Sequence, residues 1–137
     1  MATLASVNAG CGGSKAPSVV TPGPSLPPCA GAGSSVGLPP DFPSNFPLPP
    51  GTVITSHQRG VSGAIIVSGF APMQFKDTVV FFQSKLPAAG YKPLESDAEM
   101  DEAESTFSGQ GYHGKWKVNG ILNCPAAVTL GVFLSKT

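Results

Sequence analysis

Charge is scarce in this chain. Asp, Glu, Lys and Arg make up 12% of 137 residues, about half the usual share. Eight bases balance eight acids, so there is no basic field for nucleic acid and no polybasic patch for anionic lipid. No apolar run reaches the roughly 18 residues that a membrane-spanning helix needs. Histidine occurs twice. No G-x-S-x-G, H-E-x-x-H or Walker pattern is present, which removes the nucleophile elbow, the zinc-protease helix and the phosphate loop from consideration. Gly109-Gln110-Gly111 has no helix after it, so it is a hairpin turn and not a phosphate cradle. Neither an enzyme nor a cofactor is expected.

What is present is unevenly placed. Eleven of the fifteen prolines lie in residues 1–51, where Lys15 and Asp41 are the only charged side chains. Such a stretch has little hydrophobic periodicity with which to offset the entropy of ordering it. Its Gly/Ser parts are flexible and its Pro parts stiff. The expected organisation is an export-type segment over residues 1–11, a tether over 12–50 and a folded domain over 51–137. A tether of that length reaches roughly 35 Å as a coil and on the order of 120 Å as polyproline II. Phe42, Phe46 and Leu48 sit among prolines that force extended backbone. They can lie on the domain as an apolar strap, which would move its edge toward residue 38.

The folded part predicts an α+β unit, an antiparallel sheet of about five strands in the order ββαβββ with one helix on one face. Thr52–Gln58 and Ser62–Phe70 are the first two strands. Phe75, Val79, Phe82 and Leu86 share one face of a helix over Gln74–Leu86, ended by Pro87 and Gly90. Ala103–Ser108, Tyr112–Asn119 and Ala126–Ser135 follow, and Tyr91–Leu94 is an optional short strand. Setting Trp116 on one face with Ala103, Ser105 and Phe107 puts Glu104 opposite Lys115 or Lys117. A one-residue slip sets charge against core, which fixes the register.

Ala9-Gly10-Cys11-Gly12-Gly13-Ser14 resembles the lipobox of bacterial lipoproteins. The likeness covers about six residues and departs at Asn8, where Leu is usual. No Lys or Arg precedes Cys11, so this reading expects a start codon upstream of Met1. The resemblance implies diacylglycerol on the Cys11 sulfur, a membrane reached through that lipid, and an exported, lipid-anchored or extracellular protein. Cys29 and Cys124 then remain as an even pair in an oxidising compartment. A bridge between them would close a loop of about 95 residues, worth about 4–5 kcal/mol in the chain-entropy model; the alternative is two independent thiols.

The remaining candidates are weaker. Six of the eight carboxylates fall between Glu95 and Glu104. Asp97, Glu99 and Asp101 have the spacing that opens an EF-hand loop, but Glu102 stands where Gly is needed and Ser108 where the closing Glu belongs. The competing reading is a solvated loop whose last members pair with lysine. His57 and His113 have no second ligand near them in sequence and suit surface strand positions. Tyr112, Trp116 and Phe133 could form an exposed recognition patch; alternatively Trp116 is core and Phe133 meets the helix or the strap. Three functions follow. The first is a non-enzymatic binding module of the cell envelope, with an envelope protein or a second copy as partner. The second is a structural protein assembling through the edge of Ala126–Ser135. The third is a hydrolase-type enzyme using His57 or His113.

Overall fold

A computed structural model describes residues 24–137. Its frame is one antiparallel sheet of six strands: β1 (Val53–Arg59), β2 (Ile65–Ala71), β3 (Lys92–Ala98), β4 (Glu102–Gly109), β5 (Tyr112–Ile121) and β6 (Cys124–Lys136), in the spatial order β1-β2-β6-β5-β4-β3. One helix, α1 (Phe75–Ala88), joins the two halves. The α+β class and the antiparallel sheet are as the sequence predicts, with one strand more than the expected five. The addition, β3, begins within the optional strand Tyr91–Leu94 and runs on into the acidic run, and all seven of its residues are exposed. With neither face covered, β3 has no apolar alternation to mark it.

Period two assigns the faces. On β6, Val128, Leu130, Val132 and Leu134 are buried, while Thr129, Gly131, Phe133 and Ser135 point the other way. On β5, Trp116 and Val118 point inward beside Ala103, Ser105 and Phe107 of β4. Ser105 is opposite Trp116 and Glu104 opposite Lys117 in the ladder, the register that charge and core together require. The β4–β5 turn is Gln110-Gly111, both with positive φ (54° and 80°), the geometry of a type I′ hairpin.

Helix α1 packs over this inner face. Phe82 stacks on Trp116 with ring centroids 4.9 Å apart. The helix runs through Pro87 to Ala88, past the stop that Pro87 suggests. In the last turn Pro forfeits only the bond to the Gln83 carbonyl, and its fixed φ suits the helix. The stop is Gly90, at φ +92°. Its N–H donates to the Pro87 carbonyl and that of Tyr91 to the Leu86 carbonyl. These are the two bonds of a Schellman cap, with Tyr91 and Leu86 both buried beside it.

Part of the stretch expected as tether is folded onto the domain. Phe42 and Phe46 are buried in the main core. The Phe46 ring lies 5.2 Å from Tyr91 and 5.6 Å from Phe107. Tyr91 donates its hydroxyl hydrogen to Asn45 Oδ1 at 2.8 Å, Arg59 pairs with Asp41, and the Val36 N–H bonds the Ile54 carbonyl. Segment 39–50 is thus the strap, and individual rings hold it down where a regular face is lacking.

Two outcomes test this packing. Phe46→Ala should lower unfolding stability by about 3–5 kcal/mol in urea titration, the cost of deleting a buried aromatic ring; a loose tether would leave it within about 0.5 kcal/mol. Burial, and after it the charge of Tyr112, hold the Tyr91 pKa above the ordinary 10.0. Stability from the neutral phenol is therefore complete below pH 10 and is lost as pH rises through the folded value. In Tyr112→Phe the single remaining tyrosine should ionise later in the folded protein than in urea, read at 295 nm.

Candidate functional site

The helix does not cover the whole inner face. It packs against β3, β5 and β6. Between α1 and β3 a cleft of about 280 Å³ remains. The helix supplies one wall through Phe82, Gln83, Leu86 and Pro87. The other wall is Pro93 and Ser96 of β3, and Ser105, Phe107 and Trp116 form the floor. A register shift in β3 between Pro93 and Ser96 bends that wall. The floor, Phe82 and Leu86 are buried, while the Gln83, Pro87, Pro93 and Ser96 side chains at the mouth are exposed.

Ser105 is the one serine or threonine among the inward positions of β4, β5 and β6. It is 3% exposed and fully engaged. Ser96 Oγ donates to Ser105 Oγ at 2.8 Å, and Ser105 Oγ donates to the Thr106 carbonyl at 3.2 Å. Among the described residues no Asp, Glu, Lys, Arg or His lines the cleft. Sequence reasoning missed this site. The available signal was the interruption Ala103-x-Ser105-x-Phe107, a hydroxyl at an apolar position of the alternation.

The opposite face of the sheet is charged and open. Lys115 Nζ lies 2.7 Å from Glu104 Oε2, and Lys117 Nζ 2.8 Å from Glu102 Oε1. The Lys117 ammonium holds the Glu102 carboxyl below its usual range, and Glu102 raises Lys117 in return. Both groups are solvent-exposed, so the pairs set register more than they add stability.

The residues singled out in the sequence distribute as follows. Cys29 and Cys124 form a disulfide, with Cα atoms 5.5 Å apart. Cys124 is fully buried, with Ala30 and Ala127 around it and Leu26, Phe70 and Ile121 beside them. Cys11 lies outside the described residues. Asp97 belongs to β3, while Glu99 and Asp101 flank the β3–β4 turn. They do not converge, and among the described residues no three His, Cys, Asp or Glu side chains are placed to hold a metal ion.

The aromatic patch does not form. Trp116 is buried under α1, and Tyr112 packs beside the same core. Phe133 stands opposite Lys115 in the ladder, on the outer face and 39% exposed. It therefore meets neither helix nor strap, because residues 115 and 116 point to opposite sides. His57 and His113 are exposed on β1 and β5. Neither lines the cleft, and among the described residues neither hydrogen-bonds a carboxylate, serine or cysteine. The strand suspected as a free edge, within β6, is paired on both sides by β2 and β5.

No protein-family model, no curated protein and no solved structure matches the chain.

Reducing the Cys29–Cys124 bridge should lower unfolding stability by about 4–5 kcal/mol, the loop-entropy value for a separation of 95 residues. Thermal melts with and without dithiothreitol measure it. Cys29→Ser/Cys124→Ser should melt with the reduced protein and not respond to the reductant.

Proposed function

We propose that this chain is a non-enzymatic binding module of the cell envelope, exported and anchored to the membrane through lipid at Cys11. The observation that carries the address is the Cys29–Cys124 disulfide, whose Cys124 half is fully buried. Structural disulfides belong to oxidising compartments, and a small domain gains from such a staple. The six-residue likeness around Cys11 to a lipobox points the same way. The absence of an enzymatic role is supported by the placement of His57 and His113 on open surface, away from the enclosed cleft.

The folding of residues 24–50 onto the domain bears on distance. The disulfide fixes Cys29 to β6, so the length of chain from Cys11 to a held point is bounded by the seventeen residues 12–28. On this reading the domain works close to the headgroups, nearer than the 39-residue tether expected from composition would place it.

Assembly through strand edges is less favoured. The two true edges are β1 and β3. Strand β3 carries Lys92, Pro93, Glu95 and Asp97, which are edge-blunting residues. On β1 the Ile54 carbonyl is already taken by the Val36 N–H.

Intact-mass measurement of protein extracted from native membranes tests the proposal. The expected mass includes diacylglycerol on Cys11 and a two-hydrogen deficit for Cys29 and Cys124. A chain carrying three free thiols and no lipid would remove both the compartment and the anchor.

A further inference from the structure

The cleft between α1 and β3 is a pocket whose chemistry can be read from its lining. Its volume, about 280 Å³, is roughly twice that of the engineered apolar cavity that holds benzene, so it has room for two fused rings. Its shape is a slot, with a helix wall bearing Pro87 and a strand wall bearing Pro93 above the rings of Phe107 and Trp116. Flat walls of proline and aromatic rings suit a flat occupant.

Polarity narrows the class further. With no ionisable side chain in the lining, an ionised ligand would give up its hydration and find no counter-charge. The polar groups within reach are specific. Ser105 Oγ gives its hydrogen to the Thr106 carbonyl and accepts one from Ser96. Ser96 has spent its own hydrogen on Ser105, which leaves its oxygen as an acceptor at the edge of the slot. The Gln83 amide stands across the mouth.

We infer that this cleft binds a neutral, flat ring system carrying one O–H or N–H group, with the rings against Phe107 and the edge of Trp116 that Phe82 leaves uncovered, and the donor hydrogen on Ser96 Oγ. The inference supplies a ligand class for the binding module proposed above, and it is independent of the lipid anchor. Ser96 is a positioning and recognition residue. Being exposed on β3, it can be replaced without opening the core.

The test is a titration of the disulfide-bonded full chain with three probes: 2-naphthol, naphthalene and 2-naphthoate. Calorimetry gives the affinity. The indole N–H resonance gives the location, since Trp116 is the single tryptophan. One 2-naphthol per chain should bind and shift that resonance. Naphthalene, lacking the donor, should bind about tenfold more weakly, and 2-naphthoate at least about tenfold more weakly. Ser96→Ala should bring 2-naphthol and naphthalene to within about twofold of each other. Ser96→Trp should block both, and circular dichroism checks that each variant is folded. Lack of saturable heat with 2-naphthol, binding that leaves the Trp116 resonance unmoved, or full affinity in a folded Ser96→Trp chain would each overturn the assignment. Free thiols at Cys29 and Cys124 in native protein would defeat the envelope reading and leave this titration untouched.

Discussion

The bond between Cys29 and Cys124 closes a loop of 95 residues around nearly all of the folded chain. Cys124 is the first residue of β6, which sits inside the sheet and pairs with both β2 and β5. The short 3₁₀ turn Pro28–Ala30 is thereby fixed at one end of that strand. At the other end Leu134 pairs with Gly114, and Gly114 with Phe107, the ring that Phe46 packs against. Residues 30–46 are therefore held at two points that lie at opposite ends of β6. Once the first point is covalent, seating Phe42 and Phe46 closes only a short loop, for which the entropic cost is small. A segment too poor in apolar residues to fold by itself becomes part of the domain in this way.

This explains which parts of the fold were legible in the sequence. Regular periods were. The stripe of Phe75, Val79, Phe82 and Leu86 marked α1, and the alternation on β6 marked its buried side. The need to keep Glu104 with lysine and Trp116 with core set the β4–β5 register. The strap was visible only as three apolar residues among prolines, because polyproline segments have no face whose burial a period could report. Strand β3 was visible only in its first residues, as the optional Tyr91–Leu94, for a different reason. It is an edge strand with both faces exposed, so its backbone hydrogen bonds to β4 hold it in place and its side chains leave no trace of them.

The site was less legible than the fold. Disulfide pairing needed only parity and a compartment, and it was read correctly. The aromatic residues were recognised, but adjacent positions on a strand point to opposite faces, and that alone separates Phe133 from Trp116. The cleft depends on how far α1 extends over the sheet. That is a matter of tertiary packing between the helix and β3, elements with no local sequence signal for each other. Its one mark in the sequence, Ser105 between Ala103 and Phe107, has meaning only when the pairing with Ser96 across β3 and β4 is known.

The two faces of the sheet differ in what they leave unsatisfied. On the outer face, Glu102 and Glu104 already hold Lys117 and Lys115, so a partner would have to exchange existing ion pairs for new ones and desolvate them in the process. The inner face has the reverse character. There the aromatic floor is buried and uncharged, the Ser96–Ser105 pair has spent both its hydrogens and offers only oxygen lone pairs, and the mouth opens between α1 and β3. Filling that slot removes apolar surface from water at about 25 cal/mol per Å² and breaks no bond already made. An arriving ligand therefore gains more at the cleft than on the charged face, and the exposed Ser96 oxygen at its edge gives that gain a direction.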